Sequence, residues 1–459
     1  MVRVFSHWFP ANTIAQFAFD AVLLFLSVVF AAAWFDRGHL PLDLVLPSAL
    51  LFALAMVALN TALGLYRHDV RRSKLQSLAR AVMSWLLALP IAYVIFSALP
   101  WGEAGHDAFK LSALLALAAL TLARSFFARI GTAQMLGRRV LVLGTGTEAA
   151  EVEHLVKRSD SGARIVGFVG VQSGDVAHVA PASILPNGAS LIDTVRAHQA
   201  EEVIVAVRER RNIGLPLKEL LDCKLAGVRV LDLSSHFERA HGQVRLESLH
   251  ASWLIFGDGF RQGPLRVVVK RLFDILAALL LLVALSPVML VTVVLIFLDS
   301  GFPVLFGQER VGQGGRVFRV LKFRSMRADA ERDGKPRWAT ANDDRVTRVG
   351  RVIRKLRIDE LPQLINVLRG DMSMVGPRPE RPYFVDQLAQ DIPFYAARHS
   401  VKPGVTGWAQ VRYHYGASLE DAAQKLQYDL YYVKNHSLFL DVVILFETVG
   451  VVLTGAGAQ

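Results

Sequence analysis

Uncharged apolar runs alternate with polar stretches along the chain. The first four runs each come near the ~20 helical residues that a ~30 Å hydrocarbon core requires. They lie at Thr13–Phe35, Leu44–Leu65, Ala81–Pro100 and Ala108–Ile130, which predicts a four-span α-helical membrane bundle over residues 1–135. In the fourth run, Lys110 and Arg124 flank a short Leu/Ala-rich centre and are expected to snorkel toward opposite surfaces. Asp20, inside the first run, has no charged neighbour at helical spacing and reads as a residue of a helix end or bundle interior.

The polar stretches orient the bundle. Arg67, Arg71, Arg72, Lys74 and Arg80 separate runs two and three, whereas Glu103, His106 and Asp107 separate three and four. Arg129, Arg138 and Arg139 follow the fourth. Basic loops favour the cytoplasm, so both ends of the bundle are expected there.

From Arg138 to Leu249 the period shortens and alternates. Strands are predicted at Arg139–Gly144, Ala163–Val169, Glu202–Val207 and Val228–Leu231, with helices at Thr147–Lys157 and Leu217–Leu225. This is a parallel, Rossmann-like α/β domain, placed at 136–250. The turn Gly144-Thr-Gly146-Thr-Glu-Ala149 matches G-x-G-x-x-[GA], whose glycines let backbone approach a pyrophosphate at a helix N-terminus. A dinucleotide site also wants a carboxylate ~20 residues on to hold the ribose. None closes the second strand and Asp175 comes late, so a nucleotide site and a purely structural turn both stay open.

A fifth apolar run, Ile275–Leu298, is long enough to span. Ser286-Pro287 sits near its middle, where proline removes a helical hydrogen bond. Arg310, Lys322, Arg324, Arg327 and the arginines from 345 to 357 follow it, a basicity suited to the cytoplasmic side. Both facts point to a bent, re-entrant helix over 272–298 rather than a span. The last apolar block, Leu438–Leu453, carries Asp441, Glu447 and Thr448 and is expected to lie in the interface.

Composition narrows the class. Of 459 residues 53% are apolar and the net charge is +11, which excludes a disordered chain and points to anionic partners, lipid or substrate. One cysteine, Cys223, excludes a disulfide framework and a Cys-based zinc site.

Candidate chemistry is concentrated between Gly301 and Asn435. Strand alternation over Arg316–Met326 puts Lys322 and Arg324 on one face, either solvated or aimed at phosphate. The stretch Asp344–Leu364 holds an arginine-ringed amphipathic helix in which Val349, Val352, Ile353 and Leu356 are expected to bury one face. Asp359 follows it, before an apolar helix over Leu361–Leu368 with Pro362 in its first turn. Asp359 reads equally as an N-cap or as an ionised carboxylate able to attack phosphorus. Glu360, turned away from it, suits a hard cation such as Mg²⁺. Arg378 is fixed between Pro377 and Pro379, and Lys402-Pro-Gly404-Val-Thr406-Gly-Trp408 offers turn glycines, a cation and an aromatic. The stripe Tyr428–Asn435 has the aromatic and cationic composition of a membrane interface.

In these motifs the chain resembles the monotopic phosphoglycosyl transferases, bacterial polyprenyl-phosphate sugar-1-phosphate transferases of exopolysaccharide, capsule and O-antigen assembly. The resemblance rests on Lys322-Phe-Arg-Ser-Met, Asp344-Arg-Val-Thr, Asp359-Glu-Leu-Pro-Gln-Leu, Gly376-Pro-Arg-Pro-Glu and Lys402-Pro-Gly-Val-Thr-Gly-Trp, in that order. It implies an α-rich catalytic domain, 264–459, with the re-entrant helix broken at Ser286 and Pro287. It implies transfer of a sugar 1-phosphate from a UDP-sugar to undecaprenyl phosphate with release of UMP. Asp359 would be the nucleophile and Glu360 the Mg²⁺ ligand. Arg354 or Arg357 would hold phosphate beside Lys322, Arg324 and Lys402, and Arg378 would contact the uridine phosphate. The expected setting is the cytoplasmic face of the bacterial inner membrane, with lipid as partner, a homodimer possible and no nucleic acid.

Two other functions fit the sequence less well. A nucleotide-sugar oxidoreductase needs a Tyr-x-x-x-Lys, and the α/β region holds no tyrosine. A non-catalytic assembly scaffold has no need of adjacent Asp359 and Glu360 among arginines. The catalytic motifs all follow Lys270, so a fragment starting near Gly263 is expected to keep the chemistry.

Overall fold

The computed structural model describes residues 2–4, 7–9, 11–36, 42–66, 74–98, 104–130, 138–159, 163–171, 177–186, 190–207, 215–246, 263–327, 330, 345–413 and 418–454. They form two compact units, Met1–Val4 with Trp8–Gly242, and Phe5–His7 with Gln243–Gln459. The loop residues Arg67, Arg71, Arg72 and Glu103, and also Asp344, lie outside the described set.

The chain opens on two short strands, β1 (Val2–Val4) and β2 (His7–Phe9), which form a two-stranded sheet; His7 belongs to the second unit. Four helices follow: α1 (Ala11–Asp36), α2 (Leu42–Ala62), α3 (Lys74–Ala98) and α4 (Ala104–Ile130). Stretches of α1, α2 and α4 are long and apolar enough to cross a membrane, and α3 is helical over 25 residues. Small buried side chains, among them Ala31, Ala49, Ala88 and Ala116, let the helices approach, while Leu50, Leu86, Leu122 and Phe126 stay exposed. That distribution fits a bundle bathed in lipid, where nothing drives large apolar side chains inward.

Asp20 lies in the bundle interior, as expected, whereas Arg124 departs from expectation. Arg124 does not snorkel but donates to Asp20, whose same oxygen accepts from Tyr66 at 2.8 Å. Ser84 donates to Asn60 at 2.7 Å, and Asn60 to the Tyr66 hydroxyl at 3.4 Å. Side chains of α1, α2, α3 and α4 thus meet in one buried polar chain. A charge in an apolar medium is held only by such a partner, and this one lies 104 positions away, beyond any helical spacing.

The α/β part is a parallel sheet of β3 (Arg138–Leu143), β4 (Ala163–Val169), β5 (Glu202–Val205) and β6 (Arg229–Asp232), ordered β4-β3-β5-β6. Helices α5 (Thr147–Ser159), α6 (Leu191–Ala197), α7 (Leu217–Leu225) and α8 (Leu233–His241) accompany it. Gly144 opens the turn after β3 with φ of 126°, and a Cβ there would lie 2.4 Å from the Ala206 carbonyl oxygen, so the position admits only glycine. Asp175 lies outside the described residues.

The second unit opens on α9 (Pro264–Ser300), 37 residues, exposed and apolar on nearly every side. The helix runs unbroken through Pro287. Proline deprives the carbonyl four residues back of its partner, which is Val283, and the Ser286 hydroxyl donates to that oxygen at 2.8 Å. Ser286 therefore repairs the bond that Pro287 removes. After α9 come the antiparallel hairpin β7 (Leu305–Val311) and β8 (Val317–Phe323), then α10 (Arg348–Lys355) and α11 (Gln363–Arg369). Strand β9 (Ser373–Val375), helix α12 (Pro382–Asp391) and strand β10 (Gly404–Thr406) follow, with β10 parallel to β9. Helices α13 (Trp408–Arg412), α14 (Leu419–Asn435) and α15 (Leu438–Thr454) complete it.

Two surface expectations change. On α10 only Gly350 and Ile353 are buried, and Val352 and Leu356 are exposed beside Arg348, Arg351 and Lys355. Tyr431 and Tyr432 are core rather than interface: their hydroxyls meet His7 Nδ1 at 2.6 Å and Asp441 at 2.7 Å. At 17 residues α15 is ~25 Å long, short of a span. Its polar side chains point into the unit, Asp441 to Lys270, Glu447 to Arg412 and Thr448 to Thr406. Phe446, Val449 and Val452 face out.

Contacts from outside residues 263–459 also pack the second unit. His7 packs edge-on against Trp408 and Tyr431, and Val244 N–H donates to Gln427 at 3.0 Å. A fragment starting at Gly263 loses both. It is expected to melt several degrees below one starting at Gln243, because a ΔΔG near ~1 kcal/mol moves Tm by roughly 2–4 °C at this size. Equal thermal midpoints for the two fragments in detergent would contradict the packing role of residues 243–246.

Candidate active site

The site is assembled at the junction of α10, β8 and α11. Gly350 lets α10 close on the end of the β8 segment, since a Cβ there would sit 2.0 Å from the Ser325 carbonyl oxygen. Asn366, fully buried in α11, accepts from Leu321 N–H at 2.9 Å and donates to Arg319 O at 2.8 Å. This side chain mimics a third strand and sets Lys322 beside the start of α11. Nothing in the motif's spacing singled out Asn366.

Between α10 and α11 the chain reverses at Arg357, whose φ of 58° is left-handed and unusual for a residue with a Cβ. A 3₁₀ turn, Ile358–Glu360, follows. At three residues per turn, adjacent side chains diverge by ~120°, so Asp359 and Glu360 face different partners. Helix α11 starts only at Gln363, with Pro362 at its N-cap and no side-chain cap bond. Asp359 is therefore not a cap.

Glu360 is gripped by two cations. Its Oε1 accepts from Lys322 Nζ at 2.9 Å and Arg378 Nη2 at 2.7 Å, and among the described residues its Oε2 accepts only a long 3.4 Å bond from Arg378 Nη1. Burial would raise its pKa, but Arg378 and Lys322 outweigh that and hold Glu360 well below the ordinary carboxylate range. Asp359 is 9% exposed, and among the described residues its carboxylate accepts no hydrogen bond. Burial first, then the Glu360 charge, push it up to about 6 against the pull of Lys322, Arg354 and Arg378. Two adjacent carboxylates thus separate, one held toward its ionised form and one raised toward neutrality.

The structure gathers Asp359, Glu360, Lys322, Arg354 and Arg378, and sets Arg357 at the edge of their turn. It does not bring Arg324 or Lys402 there. Arg324 turns back to cap α9, donating to Ser300 O and Gly301 O at 2.6 Å each. Lys402 lies at the opposite end of α11, flanking Gly370 together with Arg271. Arg324 thus serves the C-terminus of α9, and at the end of α11 it is Arg271 that donates to the Val367 and Leu368 carbonyls, which attract cations. Arg310, read before only as general basicity, donates to Pro379 O at 3.1 Å and to Glu380 at 3.3 Å, steadying the loop that carries Arg378.

Among the described residues no three His, Cys, Asp or Glu side chains converge as a metal cage. Glu360 Oε2 nevertheless keeps lone pairs open, which fits a cation that takes one carboxylate and completes its shell with substrate phosphate.

Residues 265–455 match the family described as bacterial sugar transferase, and residues 61–222 match a CoA-binding domain. The chain is similar to the UDP-N-acetylgalactosamine-undecaprenyl-phosphate N-acetylgalactosaminephosphotransferase of Aeromonas hydrophila. Identity is 47% over 259 residues, covering 56% of this chain and 60% of that protein. It is 36% identical over 338 residues to the undecaprenyl-phosphate glucose phosphotransferase of Komagataeibacter xylinus, covering 68% and 59%. It is 35% identical over 340 residues to the UDP-glucose:undecaprenyl-phosphate glucose-1-phosphate transferase of Xanthomonas campestris pv. campestris, covering 72% and 70%. The chain spans about 60% of the length of the first two relatives.

Proposed function

This chain belongs to the bacterial sugar transferase family, and on that premise we propose that it transfers a sugar 1-phosphate from a UDP-sugar to undecaprenyl phosphate, releasing UMP. The observation that carries the reading is Asp359, a buried carboxylate that accepts no hydrogen bond among the described residues and feels the charges of Lys322, Arg354 and Arg378.

A carboxylate oxygen of Asp359 attacks the sugar-linked phosphorus. The bond from that phosphorus to the bridging oxygen breaks, and UMP departs with the electron pair. Undecaprenyl phosphate then attacks the acyl phosphate, forming the lipid diphosphate sugar and freeing the carboxylate. Lys322 and Arg378 are within reach of Glu360 and offer the donor phosphates a ready exchange of partners. Of the two candidate arginines before the dyad we favour Arg354, because its charge already acts on Asp359. Mg²⁺ would be held by Glu360 Oε2 and would neutralise charge on the phosphates. The exposed apolar α9 would keep this chemistry at the headgroup plane, where the acceptor phosphate lies.

The test uses membranes or purified protein with undecaprenyl phosphate, Mg²⁺ and UDP-N-acetylgalactosamine or UDP-glucose, the two sugars named by the relatives. UMP is the expected nucleotide. UDP would indicate glycosyl transfer instead, and no nucleotide product would favour a scaffold.

Activity should also follow the Asp359 charge. A carboxylate raised to about 6 loses its ionised form as pH falls through 6, so kcat/KM should halve near pH 6 rather than near 4. A profile flat down to pH 4.5 would remove Asp359 as the ionised nucleophile.

We also place the second unit on the cytoplasmic face of the inner membrane, the side that carries UDP-sugars. With Cys223 replaced, a cysteine introduced at the exposed Ser418 should resist an impermeant thiol reagent in intact cells and react after lysis. Labelling in intact cells would put the site on the wrong side of the membrane for its donor.

A further inference from the structure

We propose that Arg398 is a positioning residue for Arg378, so that the grip on Glu360 depends on a buried ion pair outside the site. The segment Gly376-Pro-Arg378-Pro-Glu380 contains two prolines, which have no N–H to donate. Gly376 N–H donates to Thr406 O at 2.9 Å, and beyond it the segment is held through its carbonyls, four in succession. Gly404 N–H donates to Pro377 O at 3.0 Å, Arg398 Nη2 to Arg378 O at 2.9 Å, Arg310 to Pro379 O at 3.1 Å and Val311 N–H to Glu380 O at 2.9 Å. The Arg398 contact sits on the residue that reaches Glu360, so an error there moves the Arg378 side chain directly.

Arg398 is itself over-determined. It is 5% exposed, its Nε and Nη2 meet Asp429 Oδ2 at 3.0 and 2.7 Å, and its Nη1 donates to the Tyr395 hydroxyl at 2.9 Å. Asp429, 2% exposed on α14, keeps the guanidinium fixed in plane. A planar fork with donors in three directions joins α14, the Tyr395 turn and the Arg378 loop. A lysine ammonium on a shorter, more flexible stem cannot meet all three at once. A buried charge pair is weak grounds for stability alone, but its usual service is to fix one geometry, and here the geometry fixed is that of a site loop.

The inference rests on the phosphotransfer reading, and the test separates the two. The full chain, with Arg398→Lys, Arg378→Ala and the double substitution, is assayed for UMP release, each rate divided by the folded fraction from thermal unfolding. Misplacement of a catalytic contact by ~1 Å costs up to ~10²-fold, so Arg398→Lys should lower kcat/KM about 10–100-fold. In the Arg378→Ala background the same change should cost under about threefold, because the two act through one contact. Equal losses in both backgrounds would overturn the inference and leave Arg398 as a core ion pair. Should Arg398→Lys not fold, Asp429→Asn, which loosens the guanidinium without touching the loop, carries the same comparison. A wild-type protein that releases no UMP would instead sink the functional reading itself.

Discussion

Replacing Asp359 with asparagine is expected to lower UMP release by roughly 10⁴–10⁶-fold, the range for removal of a covalent catalyst. The substitution keeps the shape, so the loss should be chemical. Asp359 caps no helix and, among the described residues, accepts no hydrogen bond, so little local structure depends on its charge. The covalent step can be observed without acceptor: donor labelled in its sugar should mark the wild-type chain and leave Asp359→Asn unmarked. Stability should move the other way. A carboxyl whose folded pKa is raised to about 6 binds more protons folded than unfolded between ~4 and 6, so its ionisation destabilises the fold as pH rises through that window. Above pH 6 Asp359→Asn removes that cost and should melt higher than wild type, while at pH 4 the two should melt alike. A variant that turns over near the wild-type rate, or that melts lower at neutral pH, would place Asp359 among structural residues.

What was legible in the chain follows from range. Strands β3 to β6 and helices α5 and α7 were readable within a residue or two, because a two-residue or 3.6-residue period is a local property. The motifs located the cluster for the same reason, since Asp359, Glu360 and Arg354 are close in sequence. Partnerships across the fold were not legible. Alternation put Lys322 and Arg324 on one face, yet β8 ends at Phe323, so Lys322 reaches Glu360 while Arg324, just beyond the strand, turns back to the Ser300 carbonyl. Asp20 had no visible partner because Arg124 comes from another helix. Tyr431 and Tyr432 had the composition of an interface, but their hydroxyls found His7 and Asp441, which made them affordable inside. On α10 the spacing of Val352 and Leu356 predicted burial, and the spacing cannot say whether the apolar face meets core or the surroundings of the membrane helix it packs on.

Replacing Lys270 with methionine is expected to destabilise the second unit by about 3–5 kcal/mol, the cost of leaving a buried charge without its partner. Lys270 sits one turn before Asp274 near the start of α9 and donates to it at 2.8 Å. The same ammonium meets Asp441 of α15 at 3.0 Å and the Ser373 hydroxyl of β9 at 2.6 Å, using all three donors. Both carboxylates are almost fully buried, at 4% and 1% side-chain exposure, and among the described residues each keeps one neutral donor when the lysine is gone. Those are Met374 N–H on Asp274 and the Tyr432 hydroxyl on Asp441. Methionine fills the volume of the stem, so a cavity adds little and the loss isolates the charge. Adding Asp274→Asn to Lys270→Met should recover part of it, since one uncompensated carboxylate then becomes neutral. Thermal unfolding in detergent is the measurement, and an unchanged midpoint for Lys270→Met would remove this network as the staple of α9. The consequence for function follows from connectivity. Strand β9 runs straight into the Gly376–Glu380 loop, so the network that ties the lipid-facing helix to β9 also carries the register of Arg378 over Glu360.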